Sequence, residues 1–115
     1  MVREYGQDCP VARALDLVGE RWTLLILRDL FLFGARRYQD FLDNLEGMSP
    51  STLAQRLKAL EDNGLVERRF YEQHPPRAEY HLTRKGRDLG PVLKTLKTWG
   101  DRHARPPSSD SGVEA

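Results

Sequence analysis

Asn63-Gly64 divides this chain into two kinds of pattern. Upstream of it apolar residues recur at intervals of three and four, and downstream, from Val66, they alternate. A period near 3.6 buries one stripe of a helix and a period of two buries one face of a strand. The chain must therefore fold as helices followed by a hairpin, which gives an α+β fold class.

The helical part resolves into four stripes. Pro10, Val11, Ala14, Leu15 and Val18 give a short first helix that Gly19 can stop. Trp22, Leu25, Ile26, Leu30 and Phe33 repeat the spacing before Gly34, and Leu24 and Leu27 widen this face enough to predict a largely buried second helix. Tyr38, Phe41, Leu42 and Leu45 form a third stripe that closes at Gly47. Ser49-Pro50 marks the sharpest boundary, because serine accepts from orphan amides as an N-cap and proline suits the first helical position. Leu53, Leu57 and Leu60 line the inner face of this fourth helix, and Asn63-Gly64 supplies a left-handed cap after about four turns.

Beyond Gly64, Val66, Arg68 and Phe70 fall on one face of a strand, with Glu67, Arg69 and Tyr71 on the other. Ala78, Tyr80 and Leu82 define a second strand. Between them lies Gln73-His74-Pro75-Pro76, where paired prolines break strand pairing and shape a loop. Val66, Phe70, Tyr80 and Leu82 are expected to close the core under helices two to four. Thr83 caps a last helix with the stripe Leu89, Val92, Leu93, Leu96, Trp99 and His103, kinked at Gly90-Pro91.

A single core suffices for 115 residues of which 39% are apolar and 30% charged. Residues 9–104 are read as one domain, 1–8 as a flexible N-terminus and 105–115, rich in Pro, Ser and charge, as a disordered tail. No apolar run approaches the roughly 18 residues of a membrane span. Arg3, Glu4 and Asp8 stand where a signal peptide would be apolar, and one cysteine cannot form an internal disulfide, so a cytoplasmic location and no membrane partner are expected. Net charge is only +1, yet residues 49–87 hold eight basic against five acidic side chains. That local excess lies where a nucleic-acid contact is needed.

Helices, a strand hairpin and a closing helix in this order describe a winged helix-turn-helix, with Glu46-Gly47-Met48 as the tight turn between helices three and four. The fourth helix is then the element that enters the major groove. Ser49 opens it, and with Leu53, Leu57 and Leu60 turned inward, Ser51, Thr52, Gln55, Arg56 and Ala59 are left on its outer face, with Lys58 a further candidate contact. Gln55 suits adenine and Arg56 guanine by bidentate pairing, and Ser51 and Thr52 reach bases or phosphate. The same face serves equally well as a solvated surface. Arg36, Arg37 and Tyr38, at the start of helix three, can grip backbone phosphates, or simply confer solubility. At the wing, His74 and Arg77 are candidates, with Arg77 placed to enter a narrow minor groove.

Four segments together resemble the HxlR-type family of bacterial winged helix-turn-helix regulators, within the MarR-like fold group. They are Cys9-Pro10-Val11-Ala12-Arg13-Ala14-Leu15, Arg21-Trp22-Thr23-Leu24-Leu25-Ile26-Leu27-Arg28, Ser49-Pro50-Ser51-Thr52-Leu53-Ala54-Gln55-Arg56-Leu57 and Pro76-Arg77-Ala78-Glu79-Tyr80. The resemblance runs from about Cys9 to Trp99. It implies a sequence-specific regulator, expected to be a repressor, that binds a pseudo-palindromic double-stranded DNA operator as a homodimer through its N-terminal and last helices. Residues left uncovered by one small core fit that seam: Val11, Leu15, Val18, Leu89, Leu93, Leu96 and Trp99. The resemblance also implies that some members sense oxidants or electrophiles through a cysteine near the N-terminus, matched here by Cys9.

Cys9 begins helix one, where the helix dipole favours a thiolate, while Asp8 opposes it; a packed or idle thiol is the plain alternative. His74, His81 and His103 lack ligand spacing, so neither a metal nor another cofactor is expected, and no catalytic set marks an enzyme. A winged helix retained for protein contacts remains the competing function, and it would need apolar residues on the outer face of helix four. The residues do not specify a small-molecule effector.

Overall fold

The computed structural model describes residues 9–74, 76–104 and 106, with only the backbone of Pro76. The expected N-terminal segment 1–8 and, apart from Pro106, the tail from 105 to 115 lie outside the described residues.

Four helices open the chain: α1 (Pro10–Val18), α2 (Arg21–Phe33), α3 (Tyr38–Asn44) and α4 (Pro50–Asp62). A two-residue strand, β1 (Arg36–Arg37), intervenes between α2 and α3. The hairpin follows as β2 (Val66–Gln73) and β3 (Pro76–Leu82), then α5 (Arg84–Arg87) and α6 (Gly90–His103). The sheet is antiparallel in the order β1-β3-β2. Local chemistry accounts for the boundaries. Ser49 Oγ accepts from the Thr52 amide at 3.1 Å and Pro50 occupies the first turn of α4. Gly47 and Gly64, with φ of +92° and +76°, make the turns on either side of that helix, a backbone region that side chains disfavour.

Ile26, Leu27, Phe41, Leu53, Leu57, Leu60 and Val66 are the buried centre of the core, with Tyr80, Leu82, Leu89 and Leu93 packed against it. Tyr80 of β3 meets Phe41 edge-on at 6.2 Å.

Several expectations need correction. Phe70 is 49% exposed instead of closing the core, because only Val66 of β2 is buried and the strand is exposed from Glu67 onward. Strand pairing continues to Gln73 opposite Pro76, nearer the tip than the prolines suggested. A proline at the first strand position forfeits only a terminal ladder bond. Helix two is not buried to its end, since Leu32 and Phe33 are exposed. The last helix is not kinked but broken. Thr83 caps the four-residue α5, and Pro91 sits in the first turn of α6, where its missing amide costs nothing.

Candidate nucleic-acid interface

The helix-turn-helix pair is α3 and α4. Leu53, Leu57 and Leu60 define the inner face of α4, so Ser51, Gln55 and Lys58 point the opposite way and are exposed. No large apolar side chain shares that outer face. Lys58 pairs with Asp62 one turn on, at 3.3 Å. Ser49 and Thr52 are partly engaged with each other, the Ser49 hydroxyl donating to Thr52 Oγ1 at 3.0 Å.

Arg56 sits elsewhere. It lies on the shoulder of α4 next to the inner face, and its Nε is 3.9 Å from Glu20 Oε1 at the start of α2. That Nε is buried without a hydrogen-bond partner. Its orientation towards α2 does not suit the base-reading role expected from its assignment to the outer face, and Thr52 and Ala59, assigned there with it, are half-buried as well.

Arg36 is likewise turned inward. Its guanidinium lies 3.7 Å from the fully buried Asp29 and 4.4 Å from the Phe33 ring centroid, and it donates to the Asp40 carbonyl at 3.4 Å. The Tyr38 hydroxyl donates to the Pro50 carbonyl at 2.7 Å, tying the start of α3 to the first turn of α4. Neither is displayed as a free phosphate-gripping group. Arg37 is exposed, its amide donating to Asp40 at 2.9 Å and its guanidinium 5.2 Å from the ring centroid of Tyr71.

On the wing, His74 is exposed at the turn and Arg77 pairs with Glu72 at 3.0 Å while staying half exposed. Tyr71 is the residue that sequence reasoning missed. It is the extra residue of the β2 irregularity, exposed and within reach of Arg37. Nothing in the alternation signalled it, because a bulge inverts the pattern locally.

The far end of α4 is held too. Lys85 donates to the Asn63 carbonyl at 2.7 Å and Thr83 to the Gly64 carbonyl at 2.6 Å, satisfying acceptors at and just beyond the helix end. α4 is thus pinned at both termini by neighbouring elements.

The expected partner seam divides in two. Val11, Leu15, Leu96 and Trp99 are exposed, joined by Leu17 and Val92, which had not been assigned to the seam. Val18 is only 8% exposed and belongs to the chain's own core, and Leu89 and Leu93 pack against that core. Their shared stripe with exposed residues concealed this, since one stripe can straddle two faces. Cys9 is half-buried as the N-cap of α1, and the Ala12 and Val11 amides hold its thiol below the ordinary range, with a smaller contribution from the charge of Arg13.

Among the described residues no group of three or more His, Cys, Asp or Glu side chains could hold a metal ion. None of the described helices is long and apolar enough to cross a membrane.

Comparison with known proteins agrees with this architecture. An HTH-type transcriptional regulator of Synechocystis sp. is 43% identical over 97 residues, 84% of this chain and 71% of the relative. One from Mycobacterium tuberculosis is 50% identical over 93 residues, 81% of this chain; the chain spans 58% of that relative's length. Among solved structures, the redox regulator HypR in its oxidised form superposes with a TM-score of 0.78 at 33% identity, covering 85% of this chain and all of that one. These relatives are regulators of transcription, not enzymes. The model of the HxlR-like helix-turn-helix family matches residues 17–108, and this chain belongs to that family of transcription regulators.

Proposed function

We propose that the chain binds a pseudo-palindromic DNA operator as a two-fold homodimer in the cytoplasm and represses transcription there, with Cys9 making binding responsive to oxidants or electrophiles. The observation that carries this reading is the outer face of α4, where Ser51, Gln55 and Lys58 stand exposed with no large apolar neighbour. A protein-docking helix would present the reverse. In this arrangement α4 lies in the major groove, Gln55 and Ser51 reach base edges, and Arg37 and Arg77 contact the backbone or minor groove.

Gln55→Ala is expected to lose about 1–3 kcal/mol of specific binding and to relax preference at one base position. Arg37→Ala should weaken all sequences alike and flatten the salt dependence. Mobility-shift titrations against upstream DNA, followed by randomised-site selection, check both. An unchanged base preference in Gln55→Ala would remove it from the reading head.

Dimerisation is supported by the apolar residues that remain uncovered. Val92, Leu96 and Trp99, with Pro91 and Thr95, line an open groove on α6, and Trp99 is 59% exposed. Each large side chain buried at a two-fold contact contributes roughly 1.5–3 kcal/mol. Two copies of α4 would then sit about 34–36 Å apart, or a multiple of that, matching successive DNA turns. Trp99→Asp is expected to yield a monomer in light scattering across a dilution series. A wild type already monomeric at micromolar concentration would sink the dimer.

Cys9 is read as the responsive thiol. The neighbour HypR is named a redox regulator, and the α1 amides favour the thiolate here. Alkylation of Cys9 by iodoacetamide should reach half its maximal rate at a pH below that of a free cysteine peptide. Diamide should alter operator affinity in the wild type and leave Cys9→Ser unaffected. An equal response in both proteins would exclude the thiol.

A further inference from the structure

Glu20 serves two elements with one oxygen. As the N-cap of α2, its Oε1 accepts from the Thr23 amide at 3.0 Å and the Thr23 hydroxyl at 3.4 Å. The same atom lies 3.9 Å from Nε of Arg56, midway along α4. The Arg56 side chain is 30% exposed against 42% for Glu20, and its Nε is withdrawn from solvent with no hydrogen-bond partner. A buried guanidinium nitrogen needs a nearby negative charge, and Glu20 provides it. From the shoulder of the helix Arg56 spans to α2, away from the outer face that carries Ser51 and Gln55. The pair therefore bridges the start of α2 to the middle of α4, between the Tyr38 contact at one end and the Lys85 and Thr83 contacts at the other.

We propose that Glu20 is a positioning residue for DNA reading: by holding Arg56 it sets how α4 lies against α2 and so the register in which Ser51 and Gln55 meet the groove. The inference rests on α4 being the groove helix. Arg56 is in this view the partner of Glu20 and not a reader of bases.

Glu20→Gln tests it cleanly, because the amide oxygen still caps α2 while the charge facing Arg56 is gone. In the DNA-free protein, hydrogen exchange of α4 amides should quicken about two- to fivefold in Glu20→Gln and in Arg56→Gln, the scale of a partly exposed ion pair. The double variant should be no faster than the faster single. The ratio of affinities for a selected operator and a random duplex should fall by a similar factor in Glu20→Gln, which a general loss of stability would not produce. Wild-type exchange and an unchanged or raised ratio in Glu20→Gln would overturn the proposal. So would independent, multiplicative effects of the two substitutions, or loss of preference at a single base position in Arg56→Gln alone. A chain that bound no DNA would end the functional reading, while exchange in the free protein would still decide whether Glu20 and Arg56 hold α4.

Discussion

Asp29→Ala is expected to cost about 3–5 kcal/mol of folding stability, the scale of a buried charge cluster that loses one partner. Asp29 is fully buried in α2, yet its carboxylate collects groups from three elements. Asn44 of α3 donates to both oxygens at 3.0 Å, Arg28 of α2 donates at 3.2 Å, and Arg36 of β1 stands 3.7 Å away. Arg36 is itself mostly buried, so deleting the carboxylate strands a guanidinium whose Nε already has no hydrogen-bond partner. A loss of that size is a large part of what holds a domain of this length folded. Urea unfolding at a fixed protomer concentration is the measurement, and the midpoint should fall with little change in slope. Asp29→Asn keeps an acceptor for Asn44 but not the charge facing Arg36, and should lose less. A midpoint for Asp29→Ala equivalent to less than about 1 kcal/mol of loss would show that the cluster relaxes into water.

Gly86→Ala should be the second severe change, costing about 3 kcal/mol, the upper range for forcing atoms into packed space. A Cβ at this position would overlap the Leu65 carbonyl oxygen and stand 3.0 Å from Leu82 Cδ2. The first of these is backbone and cannot swing aside, so α5 must lift from the end of α4. With it would go the Thr83 and Lys85 hydrogen bonds to Gly64 and Asn63. The loss should therefore appear twice, as a lower unfolding midpoint and as faster hydrogen exchange at the C-terminal end of α4. Arg84→Ala, on the exposed side of the same short helix, should stay within about 0.5 kcal/mol of wild type. Equal behaviour of the two variants would mean that α5 does not brace α4.

Much of the fold could be read before any coordinates. The start of α4 at Ser49-Pro50, its end before Gly64, and the change of period at Val66 all follow from interactions within one helical turn or one strand. Glycines reveal less. Gly47 and Gly64 announced turns and Gly86 a close packing contact, but that its missing side chain seats α5 against Leu65 could not be read, since that approach joins residues far apart in the chain. The two-residue β1 was also invisible. Two arginines have no strand pattern, and they pair only because β3 offers Tyr80 and Glu79 as an open edge.

The candidate interface divides along the same line. Periodicity alone placed Ser51 and Gln55 opposite the leucine stripe, because the pitch of a helix fixes what faces away from its apolar side, but it also assigned Thr52, Arg56 and Ala59 to that face, and these are half-buried. Residue type and place in the pattern made Arg36, Tyr38 and Arg56 look like DNA contacts, and each has a partner inside the protein: Asp29, the Pro50 carbonyl and Glu20. Composition cannot tell a guanidinium that meets phosphate from one that meets a carboxylate, since the chemistry of the two contacts is the same. The starts and ends of the first four helices are determined locally and were written in the sequence. Which charged and apolar side chains remain exposed, and where the wing bulges, were decided only by packing, which brings distant groups within a few ångströms and so selects the partner each one takes.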